Sequence, residues 1–219
     1  SLLLIWFDQK ETLNKNETSR SKLSDDYKEL FSNRNFWFYV VVMGFSVGSY
    51  FSFLTGAPVI SAEYFELAPS VQGYLFAILG LGFLLGNFLT GRFAMKIGPN
   101  RFMLWGCFIA LTGPLLQCLI YFNFIFGPLS FFAPMFLVGL GQGLIVPNAA
   151  AGIVSVNPSL AGSASGLGAT IQVTIGGILA YITGYIISIF VTPLPLLFIL
   201  FLTILVTLFF SYKLHRNFS

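Results

Sequence analysis

Amides and one phenol are the residues in this chain best suited to holding a small molecule: Tyr50, Gln142, Asn148 and Gln172, each set in a long apolar run. No Asp, Glu, Lys, Arg or His accompanies them, and from Phe102 to Tyr212 there is no charged residue at all. Catalysis needs a nucleophile, a base or a metal shielded from bulk water. Without ionisable partners none can be assembled, so an enzyme is excluded. The only histidine is His215, in a basic tail, and no metal-ligand spacing exists. Cys107 and Cys118 share one run and would lie about 16 Å apart along a helix, too far for a disulfide. The chemistry that remains is recognition by neutral hydrogen bonds and aromatic surface, with no cofactor.

Gln142 and Asn148 lie in Gly139-Leu-Gly-Gln-Gly143 followed by Leu-Ile-Val-Pro147-Asn148. Six residues apart on a helix, they point to different faces, so only one need meet a ligand. Pro147 removes the backbone bond to Gly143 and invites a kink, and a broken polar helix at membrane depth usually lines a cavity. Gln172 shares a stripe with Ser165, Gly168, Ala169 and Gly176, where it serves either a ligand or an interhelical hydrogen bond. Tyr39, Ser46, Tyr50, Phe53 and Ala57 form an aromatic and small stripe in the first apolar run. Tyr50 and Phe53 are the cavity candidates there, since a hydroxyl well inside a span needs a partner.

The elements that position these residues are membrane helices. Of 219 residues 56% are hydrophobic and 9% charged, with mean hydropathy +0.84, where a soluble domain has roughly a quarter charged. Helices of about 20 apolar residues span a bilayer. Such runs extend from Phe36 to Ile60, Val71 to Gly91, Phe102 to Phe122, Ser130 to Val154, Leu160 to Phe190 and Pro195 to Tyr212. No sustained alternation suggests barrel strands. This predicts an all-α membrane protein with a six-helix domain over residues 35–219. Residues 1–7 read as the end of a preceding membrane helix, and residues 8–34 as a cytoplasmic loop in which Ser24 to Phe31 forms either a short surface helix or a solvated linker.

Net charge is +3, and every Lys and Arg falls in Lys10 to Arg34, Arg92 to Arg101 or Lys213 to Arg216. The positive-inside rule then places both ends and these loops in the cytoplasm, with Glu63 and Glu66 opposite. A basic stripe with interleaved aromatics is missing, which excludes nucleic acid as a partner. Arg34, Trp37 and Tyr39 mark the headgroup level.

Close glycine pairs let helices approach where lipid supplies no hydrophobic drive. They are Gly44 and Gly48, Gly82 and Gly86, Gly139 and Gly143, Gly162 and Gly166. Gly44-x-x-x-Gly48 has a counterpart in Gly139-x-x-x-Gly143. Pro69-Ser-Val-Gln-Gly73 likewise matches Pro158-Ser-Leu-Ala-Gly162. These matches suggest two nested three-helix repeats.

The chain resembles the C-terminal half of a major facilitator superfamily transporter, most closely the bicyclomycin-resistance branch of the multidrug/proton antiporters. The likeness is carried by Glu11-Thr12-Leu13, by Gly141-Gln142-Gly143 with Pro147-Asn148, and by Ala161-Gly162-Ser163-Ala164-Ser165-Gly166. Gly86, Thr90, Gly91, Arg92, Gly98 and Arg101 resemble the superfamily's cytoplasmic loop motif, with Gly91 or Thr90 where an acid is expected. The resemblance implies a twelve-helix transporter in the bacterial inner membrane whose spans seven, eight, ten and eleven border the cavity. It also implies drug efflux, coupled to protons mainly through the N-terminal half, with that half, the lipid bilayer and a small-molecule substrate as partners. A facilitator for one metabolite and a non-transporting membrane scaffold remain alternatives.

Overall fold

The computed structural model describes residues 23–123 and 126–217. The expectations for residues 1–7 and for most of the 8–34 loop, including Glu11 to Leu13, lie outside those residues. Helix α1 (Leu23–Ser32) precedes α2 (Arg34–Val59), which runs on through a π-helical turn (Ile60–Tyr64). Then come α3 (Pro69–Ile97), α4 (Pro99–Phe122), the short α5 (Pro128–Phe132), α6 (Met135–Ser155), a 3-10 turn (Pro158–Leu160), α7 (Ala161–Ile189) and α8 (Pro193–Asn217). Six of these stretches are long and apolar enough to cross a membrane, matching the six expected runs.

Local chemistry sets the ends. Asn33 caps α2 by accepting from the amides of Asn35 and Phe36. Proline opens α3, α4, α5 and α8 at the first helical positions, where its missing N–H costs nothing. Ser24 to Phe31 is helical within α1, whose Leu30 is buried and whose Glu29 accepts from Asn157 Nδ2 at 2.8 Å.

Three expected boundaries are corrected. The run from Ser130 to Val154 is two helices, parted at Ala133 and Pro134, because proline lacks the N–H that would continue the helical ladder. The first span overruns Ile60 into its π turn, closing near Glu66 with φ of 53°. The Gly86 to Arg101 segment is not a loop: Gly86, Thr90, Gly91 and Arg92 continue α3, and Arg101 lies in α4. Only Gly98 turns the chain, at φ of 100°, which glycine adopts without steric cost.

Packing follows a twofold pattern. The main contacts pair α2 with α7, α3 with α6, α4 with α6 and α2 with α8, and bring α4 to α8 and α2 to α6. Exchanging α2, α3, α4 for α6, α7, α8 leaves this set unchanged, as a nested repeat requires. Two of the glycine pairs obey the same exchange. Gly44 and Gly48 on α2 receive Ile175 and Leu179 of α7, while Gly139 and Gly143 on α6 meet the α3 backbone at Leu79 and Phe83. Gly82 and Gly86 return the contact against Phe136, Leu140 and Gly143, so α3 and α6 cross backbone to backbone. Gly162 and Gly166 meet no described residue: a β-carbon at either would find nothing within 4 Å. They occupy the exposed face of α7.

Candidate functional site

A cavity of about 350 Å³ lies among α2, α3, α6 and α7. Val47, Tyr50 and Phe51 come from α2, Gly80 and Phe83 from α3, Gln142 and Val146 from α6, and Gln172 from α7. These spacings of three and four place each set on one face of its helix. None of the lining residues is charged, and α4 and α8 contribute none.

Gln142 is 3% exposed, and its amide nitrogen is held across the bundle. Its Nε2 donates to the Ser46 carbonyl at 3.1 Å and to Ser49 Oγ at 2.7 Å, while Ser49 Oγ donates to the same carbonyl at 2.7 Å. A buried amide without partners would be costly, and this triangle also ties α2 to α6, the two helices most enclosed by the bundle. Ser46 Oγ beside it is buried without a partner among the described residues. Gln172 and Tyr50 have no hydrogen bond to another described residue, so both polar ends are available to the cavity. Aromatic surface comes from Phe83, Phe51 and Tyr50, the last two with ring centroids 6.2 Å apart.

The structure thus brings Tyr50, Gln142 and Gln172 together and places Phe53 and Asn148 elsewhere. Phe53 is fully buried against Phe76, Phe131 and Phe132, with centroids 5.4, 5.9 and 5.8 Å away. Three residues beyond Tyr50, its ring turns toward α5 and into the aromatic core instead of the cavity. Asn148 is buried and donates from Nδ2 to the Leu144 carbonyl of its own helix at 2.7 Å. It neither lines the cavity nor bonds to another helix. Sequence reasoning missed Val47, Phe51, Gly80, Phe83 and Val146. Helical spacing from Tyr50 and Gln142 points to Val47 and Val146, but nothing in α3 marks Gly80 or Phe83 over its neighbours.

Pro147 strips the Gly143 carbonyl of its helical donor, and α3 supplies a substitute: Thr90 Oγ1 donates to that oxygen at 2.9 Å. Thr90, read as part of the loop motif, is therefore a bridge between helices. Arg92 is exposed with its guanidinium 5.9 Å from the Phe93 ring, and Arg101 is exposed on α4. A second pocket, of about 420 Å³, opens at the basic end between α2, α4 and α6. There Tyr39 packs its ring on Gly152 and donates from Oη to Asn100 Oδ1 at 2.8 Å. The central cavity is the stronger candidate, because its unpaired polar groups sit in the middle of bilayer-length helices.

Over 187 residues the chain is 26% identical to an uncharacterised MFS-type transporter, YdgK, of Bacillus subtilis (strain 168). That alignment covers 84% of this chain and 46% of YdgK, so the chain spans about half the length of this curated relative. Residues 1–181 match the model of the Major Facilitator Superfamily. The chain belongs to that superfamily, whose members are transporters rather than enzymes, and is a multi-pass integral membrane protein.

Proposed function

We propose that this segment is the second half of an efflux transporter for small amphipathic compounds. In this reading it rocks against a first half to expose the central cavity to either side in turn. The observation that carries the proposal is the cavity itself: uncharged, aromatic on Tyr50, Phe51 and Phe83, and polar only at neutral groups. Such a wall accepts varied flat apolar bodies and gives no fixed countercharge for one ionic metabolite. With no Asp, Glu, Lys, Arg or His in the apolar runs or on the cavity wall, coupling to protons falls to the first half. The branch resemblance carried by Gly141 to Gly143, Pro147 and Asn148 supports a place among the drug/proton antiporters. Basic residues at Arg92 to Arg101 and Lys213 to Arg216 support a cytoplasmic position for both of those segments.

The test uses the full-length protein in a pump-deficient bacterial host, with drug tolerance and dye efflux as readouts. Raised tolerance to several unrelated amphipathic drugs, abolished by a protonophore and weakened by Gln142→Ala and Gln172→Ala, is the expected result. Unchanged tolerance and efflux across a broad panel overturns it. Inhibition by a single solute class, with no effect of drugs, assigns a metabolite facilitator instead.

A further inference from the structure

The two long helices that lend nothing to the central cavity, α4 and α8, carry a groove of their own. It has a volume of about 550 Å³ and lies between Phe108 of α4 and Leu205, Val206, Phe209, Phe210 and Tyr212 of α8. Its wall is aliphatic and aromatic, and residues 205–212 cover about 10 Å of α8. That is about two-thirds of the hydrocarbon depth of one leaflet. Phe108, Leu205, Phe209 and Tyr212 are exposed, so no other described helix covers the groove.

One end of this groove is charged. Lys213 follows Tyr212 on α8, and its Nζ lies 4.5 Å from the ring centroid of Phe209 and 6.0 Å from that of Phe210. Phe38 of α2 packs 5.5 Å from Phe210 and has two cations over it, Lys213 Nζ at 5.9 Å and the Arg34 guanidinium at 5.2 Å. Asn217 Nδ2 donates to Asn35 Oδ1 at 3.2 Å and ties the same two helix ends together. Among the described residues no carboxylate pairs with Lys213 or Arg34. A ring face fixes a cation in place and leaves its formal charge intact. Two positive charges from opposite ends of the chain are thus held at the headgroup end of an open apolar groove.

We infer that this groove holds one anionic phospholipid of the leaflet at the basic end of the spans, an acyl chain lying along α4 and α8 and the phosphate against Lys213 and Arg34. A lysine that merely snorkels to headgroup level reaches outward and attracts any anionic surface. Here the ammonium is drawn back over the groove's own rings, which sets a bound phosphate directly above the chain. Basic pockets between membrane helices recognise anionic headgroups in this way. A second copy of this chain suits the groove less well, because a twofold pairing of this face brings more cations to it and supplies no anion.

The experiment gives purified full-length protein in nonionic detergent a mixture of dioleoylphosphatidylglycerol and dioleoylphosphatidylcholine, and counts the retained lipids by native mass spectrometry. The two lipids share their chains and phosphate and differ in net charge. The parent protein is expected to retain phosphatidylglycerol over phosphatidylcholine by at least about tenfold, since each cation near the surface contributes about fivefold. Lys213→Gln and Arg34→Gln each lower that ratio by about fivefold, and Lys213→Arg preserves it. Arg92→Gln, at the same end of the spans but on α3, leaves it within about twofold. Val206→Trp fills the groove and lowers retention of both lipids. Equal retention of the two lipids by the parent overturns the inference, as does a loss in Arg92→Gln as great as in Lys213→Gln, for the cations then act only as general anchors. A dimer in size-exclusion chromatography that retains neither lipid, and falls to a monomer in Val206→Trp, assigns the groove to a second copy and overturns it as well.

Discussion

One helical turn on α2 separates a cavity residue from a core residue. Tyr50 borders the central cavity, whereas Phe53 is sealed among Phe76, Phe131 and Phe132. Substitutions should divide accordingly. Phe53→Ala is expected to destabilise the full-length protein by about 3–5 kcal/mol, read as a large fall in thermal unfolding temperature in detergent. Tyr50→Phe should leave that temperature unchanged and reduce efflux of compounds that use the hydroxyl, measured in the same preparation. At Thr90 the prediction concerns a backbone made needy by Pro147. Thr90→Val strands the Gly143 carbonyl and should cost about 1 kcal/mol, while Thr90→Ser restores the bond and the unfolding temperature. The amides show how far residue types alone carry a site. Gln142 and Gln172 stand out in a sequence because they are polar in an apolar run, and both reach the cavity. Asn148 stands out equally, yet satisfies itself on Leu144. Whether a polar side chain in a membrane helix looks outward or back along its own turn depends on what the neighbouring helix offers, which one helix's sequence does not contain.

Among the elements, the crossing of α3 and α6 is the most demanding contact, because Gly82, Gly86, Gly139 and Gly143 press backbone on backbone. No flexible side chain there can yield to an added methyl group. Gly143→Val is expected to lower stability by at least about 1–3 kcal/mol through overpacking, seen as lost monodispersity in size-exclusion chromatography. Gly162→Ala and Gly166→Ala face open space in this half and should not disturb its helix packing. The number and approximate limits of the spans were legible in the sequence, because a run of apolar residues reports bilayer thickness directly. Boundaries drifted where proline or a π turn intervened, at Pro134 and Ile60, and where α3 outran its apolar stretch as far as Ile97. The glycine pairs were legible as a set, but their partners were not. Lipid is as apolar as the protein interior, so the periodicity that marks the buried face of a soluble helix is weak here. Gly139 and Gly162 therefore looked alike before packing told them apart.

In the molecule as a whole, α3 and α7 are the least enclosed spans. Tyr74, Leu84 and Phe88 project from one, Tyr181 and Tyr185 from the other. In the transporter reading these faces receive the first half, which fits a chain spanning about half of its relative. Gly166→Leu should then impair efflux, because the added side chain occupies the surface that the first half must cover. Membrane-extracted protein should remain abundant, and both readings come from the same transformed cells. The absence of charge from the apolar stretches of the spans has a consequence for biogenesis. Each of the six spans is by length and composition apolar enough to cross the bilayer. Insertion thus needs no partner helix, and the glycine crossing can form only after α6 has been made and inserted, when α3 already lies in lipid. A variant that spoils this crossing will be threaded correctly and still fail to mature, so its fate is removal by membrane proteases rather than arrest at the insertion machinery.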